Sequence, residues 1–182
     1  MRILTGRFKG RLIPLVENPE LRPTADKVRK AVFDTLQDFT QGKRVLDLYS
    51  GTGSLGLEAL SQGAVFVRFV EQDKAQAGRI EKTLKTWGLE SSSCVDPMDV
   101  MRAIDRAGAR GDRYQLVITD PPYADNRGAA TLKALAEAGI VEKGGFVVME
   151  CGKRESMPKQ AAPFILLRDR KYGQSRLVFY RG

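Results

Sequence analysis

Apolar and polar positions along the chain alternate between two rhythms. Arg44–Leu48 is a short apolar run of the buried-strand type, and in Gly53–Gln62 after it the apolar residues return at helical spacing. The pair repeats as Val65–Val70 and Lys74–Trp87, then as a weaker strand Ser92–Val95 with a short helix Val100–Ala107. Leu116–Thr119 is apolar throughout, Ala129–Ala138 reads as a helix, and Gly145–Glu150 as a further strand. Repeated strand–helix units with apolar strands predict an α/β fold, a mostly parallel sheet covered on both faces. Ligands of such sheets bind beyond the carboxyl ends of the strands, near the switch in strand order. Residues that carry chemistry are therefore expected just after strands.

The two ends of the chain break this rhythm. Leu4–Leu15 holds Gly-Arg-Phe-Lys-Gly-Arg between apolar stretches and predicts a small β-hairpin with a basic turn. A linker from Pro14 to Pro23 follows, then Thr24 as a helix N-cap. Val28, Ala31, Val32, Thr35, Leu36 and Phe39 mark a helix from Lys27 to Phe39. Phe164–Arg170 and Ser175–Arg181 around Lys171–Gln174 read as a C-terminal antiparallel hairpin. The expected organisation is an N-terminal extension over 1–40 and one α/β domain over 41–182, within the range of a single core.

Charge sharpens this picture. The chain carries net +8, but residues 1–44 hold +5, residues 45–150 hold −3 and residues 151–182 hold +6. An acidic middle between basic ends suits a catalytic core with a polyanion-binding rim. The 182 residues include no histidine, which removes Ser-His-Asp and Cys-His hydrolase schemes and nearly all common zinc sites. Cys94 and Cys151 lack metal-ligand spacing and read as buried thiols. With no run of about 18 apolar residues and no signal-like start, a cytoplasmic protein without a membrane segment is expected.

Val45-Leu-Asp-Leu-Tyr-Ser-Gly-Thr-Gly53 follows the first strand, and Gly51-x-Gly53-x-x-Gly56 has the dinucleotide spacing. Glu71 ends the second strand, placed to accept from ribose hydroxyls. Asp47 separates the candidate ligands. A pyrophosphate loop offers amides and a helix dipole to negative charge, and a carboxylate there opposes it. S-adenosylmethionine instead brings an ammonium and a sulfonium, which an acidic residue suits. Asp99, after the third strand, is placed either to accept from an adenine amino group, with the Val100 amide facing the ring, or to cap the following helix.

Asp120-Pro-Pro-Tyr123 comes directly after the apolar strand Leu116–Thr119. Two prolines fix the backbone and remove two amide donors, leaving carbonyls to accept. A carboxylate and a carbonyl converging on one point suit an amine with two N–H groups and favour the positive charge that develops on its nitrogen. Positioning then carries most of the acceleration without a strong base, in keeping with the absence of histidine. Tyr123 is placed to stack on a base turned out of its helix or loop.

Five stretches together resemble the RsmD family, bacterial guanine-N2 methyltransferases of small-subunit ribosomal RNA. They are Arg2–Arg11, Leu21-Arg-Pro-Thr-Ala-Asp-Lys-Val-Arg29, Val45–Leu60, Phe69-Val-Glu-Gln-Asp73 and Asp120–Tyr123, joined by the late Lys171-Tyr-Gly173. The resemblance implies a Rossmann-like class I methyltransferase with S-adenosylmethionine as cofactor, S-adenosylhomocysteine as product and no metal. It implies that Asp47, Tyr49, Ser50, Gly51, Gly53, Glu71, Gln72, Asp99, Val100, Arg22 and Thr24 border the cofactor, Tyr49 standing where the family more often has Phe. Asp120, Pro121, Pro122 and Tyr123 would hold the target amine and base, and Arg7, Lys9, Arg11, Arg29 and Lys171 would grip RNA. The implied substrate is 16S rRNA in a partly assembled 30S particle, with contacts to ribosomal proteins, and a monomeric enzyme.

Three other readings compete with this one. Asp-Pro-Pro-Tyr also suits adenine N6 of RNA or DNA, although this length leaves no room for a DNA-recognition domain. An inactive RNA-binding assembly factor would keep the scaffold and lose transfer. A small-molecule methyltransferase conflicts with the two basic ends.

Overall fold

The computed structural model describes residues 1–14, 26–122, 127–173 and 175–182. The predicted N-cap at Thr24, much of the Pro14–Pro23 linker, and Tyr123 lie outside the described residues. In chain order the elements are α1 (Asp26–Leu36), β1 (Arg44–Leu48), α2 (Ser54–Ser61), β2 (Phe66–Val70), α3 (Lys74–Trp87), β3 (Ser93–Asp96), α4 (Val100–Arg110), β4 (Tyr114–Thr119), α5 (Arg127–Ala138), β5 (Val141–Gly152), β6 (Gln160–Ala161), β7 (Phe164–Tyr172) and β8 (Ser175–Arg181). They build one sheet in the order β3-β2-β1-β4-β5-β8-β7-β6. The first five strands are parallel, and β8, β7 and β6 add antiparallel at one edge. The switch in strand order therefore lies between β1 and β4, where Leu48 stands opposite Thr119.

Alternation along the strands feeds two core layers, one on each face of the sheet. Val45, Val67, Phe69, Leu116, Ile118 and Phe179 pack with α1, α2 and α3. Leu46, Leu48, Val70, Val117, Val147 and Met149 pack with α4 and α5. α2 is buried along its whole length, which explains why Leu55-Gly-Leu-Glu-Ala-Leu60 is apolar on nearly every side.

The N-terminal hairpin is smaller than its sequence suggests. A single Arg2–Leu12 bridge closes it, and Gly6–Phe8 forms a 3-10 turn. Ile3 and Ile13 enter the α1–α3 core, each contributing roughly 1.5–3 kcal/mol by burial. The α2 residue Glu58 does the rest: its carboxylate accepts from the Leu4 and Thr5 amides and from the Thr5 hydroxyl at 2.8–2.9 Å.

β5 is longer than Gly145–Glu150, starting at Val141. Gly144 takes φ +75°, and a Cβ on Gly145 would lie 2.8 Å from the carbonyl oxygens of Gln115 and Glu142. The glycine pair at the start of the predicted strand is an irregularity inside a longer one, opposite the register shift between Tyr114 and Leu116.

Candidate cofactor and acceptor site

The carboxyl ends of β1, β2 and β4 bring the two sequence motifs together. After β1 the chain rises through Tyr49, with the left-handed φ of +57°, then Gly51 at +54° and Gly53 at +75°, before α2 begins. Ser50 ties the loop to its neighbour strand: its amide donates to the Val70 carbonyl, and its hydroxyl donates to the Asp47 carbonyl while accepting from the Val70 amide. The Gly51 amide donates to Glu71 at 2.8 Å, and the Asp73 amide donates to the other Glu71 oxygen at 2.8 Å. A carboxylate has about four acceptor positions, so Glu71 keeps capacity for hydroxyl donors while it holds the loop. Gln72 next to it is exposed.

Asp47 lies beneath the loop, with 1% exposure. Its Oδ2 accepts from the Gly56 amide at 2.9 Å, in the first turn of α2. Burial pushes its carboxyl up to about 7, with the Gly56 hydrogen bond opposing that shift. A Cβ at Gly56 would come 2.2 Å from the Phe69 ring and 2.9 Å from Asp47 Oδ2, so only glycine allows α2 to sit this close. Asp47 thus sets the shape of the loop from below and does not line its mouth.

Across the switch, the Asp120 amide reaches the Leu48 carbonyl at 3.4 Å, which seats the start of the Asp-Pro-Pro run beside the glycine loop. Asp120 is half-buried, Pro121 buried and Pro122 exposed. Two contacts missed in the sequence brace this edge. The Tyr49 hydroxyl hydrogen-bonds with buried Thr131 of α5 at 3.1 Å, linking the loop after β1 to the helix after β4. Glu155, just beyond β5, accepts from the Gly128 amide of α5 at 3.0 Å and from the Gly152 amide at 3.3 Å. Neither is visible in sequence, because a tyrosine in a loop and a glutamate in a basic stretch carry no periodicity.

The remaining predicted residues divide. Asp99 caps α4, accepting from the Met101 and Arg102 amides, and Val100 is the buried first residue of that helix. Arg22 lies outside the described residues. Arg29 is corrected: it is 0% exposed, pairs with Asp26 at 3.0 Å and Glu58 at 3.5 Å, and donates to the Arg2 carbonyl and to Met1 Sδ. A guanidinium enclosed in this way holds the hairpin, α1 and α2 together and cannot grip RNA. Arg7, Lys9, Arg11 and Lys171 are exposed, but at opposite edges of the sheet. Lys171 neighbours Tyr172 and Ser175, which is paired with Gly152 at the carboxyl end of β5. The hairpin instead bonds Ser61 and Gln62 at the far end of α2, beside the Gly63 carbonyl that receives the Gly42 amide ahead of β1.

Cys94 and Cys151 are free, and burial pushes the Cys151 thiol up to about 12. Among the described residues no group of three or more His, Cys, Asp or Glu stands together as a metal site, and no helix is long and apolar enough to cross a membrane.

A parallel sheet with the switch between β1 and β4, a glycine loop after β1 and antiparallel strands at the far edge is the class I methyltransferase fold. Residues 1–181 match the family model described as "Conserved hypothetical protein 95". The chain belongs to that family, the RsmD family. It is similar to the Bacillus subtilis protein "Putative rRNA methyltransferase YlbH", 32% identical over 100% of this chain and 98% of the relative. It is 29% identical to "Ribosomal RNA small subunit methyltransferase D" of Escherichia coli, over 100% of this chain and 89% of that protein. The solved structure "Putative methyltransferase yhhF" from Escherichia coli superposes with TM-score 0.88 at 28% identity, covering 100% of this chain and 97% of that one.

Proposed function

We propose that this protein transfers a methyl group from S-adenosylmethionine to the exocyclic N2 amine of a guanine in 16S rRNA of the small ribosomal subunit. The observation that carries the reading is the meeting of two loops at one switch point. The glycine loop after β1, held by Asp47, Ser50 and Glu71, stands beside the Asp120–Pro122 run after β4. The names of the relatives supply the substrate class.

The site suits a cationic adenosine ligand better than a pyrophosphate. Glu71, Asp99 and Asp120 all stand just beyond strand ends on this edge, and phosphate charge would oppose them. Glu71 would accept from the ribose, and Tyr49, Ser50, Gly51, Gly53 and Gln72 would border the methionine and ribose portions. The bound cofactor supplies an electrophilic methyl on sulfur. Asp120 and a main-chain carbonyl of the proline run accept from the two N–H groups of the amine, turn its lone pair toward the methyl and favour the charge that develops on nitrogen. Tyr123 stacks on the base. Asp99 serves as the α4 cap in this reading, and the extension over 1–40 acts as an RNA-binding addition to the 41–182 domain. The same resemblance extends to a 30S assembly intermediate with ribosomal-protein contacts, a monomeric enzyme and a cytoplasmic location.

Asp120→Ala tests the division of roles. Methyl transfer should fall by at least about 100-fold, while S-adenosylmethionine binds in calorimetry as to the unchanged protein. Equal loss of cofactor affinity would place Asp120 in the cofactor pocket and refute its assignment to the amine.

A further inference from the structure

The Asp120–Pro122 run after β4 has little backbone bonding of its own. Pro121 and Pro122 have no amide to donate, and the Asp120 amide reaches the Leu48 carbonyl at 3.4 Å. Its position therefore depends on what it joins, β4 before it and α5 after it. The start of α5 is tied down from across the sheet edge. Gly128, the second residue of the helix, is buried, and its amide is one of the first four that find no acceptor within a helix. Glu155, 27 residues further on, accepts from it with Oε1 at 3.0 Å, while its Oε2 accepts from the Gly152 amide at 3.3 Å. Thr119 pairs with Met149, so Asp120 and Gly152 stand at the same edge of the sheet. One carboxylate thus joins the end of β5 to the helix that follows the acceptor run, and the helix dipole favours its charge there.

The clamp is tight and is itself supported. A Cβ on Gly128 would come 2.7 Å from Glu155 Oε1 and 2.8 Å from Met149 Sδ, so only glycine lets the first turn of α5 approach this closely. The Glu155 amide donates to the Gly152 carbonyl at 3.0 Å. Its carbonyl accepts from Arg176 Nη1 at 2.6 Å, and Arg176 forks onto Asp169 of β7 with bonds of 3.0 and 2.7 Å. The C-terminal hairpin therefore fixes Glu155, and Glu155 fixes α5. One turn further along that helix, Thr131 meets the Tyr49 hydroxyl, so α5 spans the gap between the end of β5 and the glycine loop.

Taking the Asp120–Pro122 run as the holder of the target amine, as proposed above, we infer that Glu155 is a positioning residue for methyl transfer. It acts through Gly128 and α5, setting where the run lies relative to the glycine loop, and not on the reacting atoms. Misplacing reacting groups by about 1 Å costs up to about 100-fold in rate, so slack at the start of α5 should appear in kcat and not in cofactor affinity.

Hydrogen exchange of isotopically labelled glycine amides reports on the clamp without any substrate. In Glu155→Ala, exchange at the Gly128 amide should speed up at least about tenfold, while Gly51 and Gly56, bonded to Glu71 and Asp47, keep their rates. Methyl transfer to small subunits lacking the modification should fall about tenfold in kcat, with S-adenosylmethionine affinity in calorimetry unchanged. Glu155→Gln keeps an acceptor oxygen for Gly128 and should recover most of that kcat, which a role resting on charge alone would not allow. Unchanged exchange at Gly128 overturns the clamp. Faster exchange with kcat within about twofold of the parent overturns its role in positioning, and so does an equal loss of cofactor affinity. Faster exchange in the variant, with no transfer by the parent protein, would instead refute the proposed function and leave the clamp on α5 standing.

Discussion

Glu58→Ala should undock the N-terminal hairpin at a large cost in stability. Glu58 is 0% exposed and accepts from the Leu4 amide at 2.9 Å and from the Thr5 amide and hydroxyl at 2.8 Å. It also faces Arg29 Nε at 3.5 Å, and Arg29 is 0% exposed as well. Burial drives the Arg29 pKa down, while Glu58 and Asp26 hold it up. Removing Glu58 leaves one of those two partners, together with two amides that have lost their acceptor. Breaking a buried pair of this kind costs about 4 kcal/mol, a large share of the roughly 5–15 kcal/mol that holds a domain folded. With a urea m-value of about 2 kcal/mol/M, the midpoint should fall by about 2 M. Unfolding is to be followed by Trp87 fluorescence and by far-ultraviolet circular dichroism. Trp87 packs on Phe8 of the hairpin, so its signal should change at lower urea than the helical signal in the variant. Glu58→Gln, which keeps an acceptor oxygen, should lose less. A cost below about 1 kcal/mol, with both signals still moving together, would refute the role given to Glu58.

Asp47 carries a pH dependence whose sign is fixed by its raised pKa. Its folded value of about 7 exceeds the unfolded value, so its contribution is fully present below about pH 4 and is lost as pH rises toward 7. Asp47→Asn should therefore gain in thermal midpoint relative to the parent as pH rises from 4 to 7; parallel midpoints over that range would contradict the burial argument. Gly56→Ala forces a methyl group into the Phe69 ring and toward Asp47, and should lower both stability and cofactor affinity. A variant with parent stability and parent affinity in calorimetry would show that α2 does not depend on this close approach.

The sheet was legible because β1, β2 and β4 are mostly apolar runs and each motif stands at a strand end. β1 and α3 fall where their patterns place them, and the Asp-Pro-Pro run follows β4 directly. Arg29 was not legible: it looks like a surface cation of α1, and its partners Glu58 and the Arg2 carbonyl lie 29 and 27 residues away in sequence. Glu58 was hidden for the same reason, being one acid in an apolar helix. The basic hairpin tip read as an RNA grip without a location, since sequence does not say which end of α2 it docks on. Tyr49 carries two unannounced features, a left-handed backbone and a bond to Thr131 across the switch point. β5 was shortened because a strand through Gly144–Gly145 is set by tertiary pairing and not by local preference.

The most direct test of the proposed function is transfer of labelled methyl from S-adenosylmethionine to small subunits that lack this modification, followed by digestion to nucleosides. Label in N2-methylguanosine is the expected result. Label in N6-methyladenosine would keep the two-loop chemistry and overturn the acceptor, and no label in small subunits would contradict the proposed function itself.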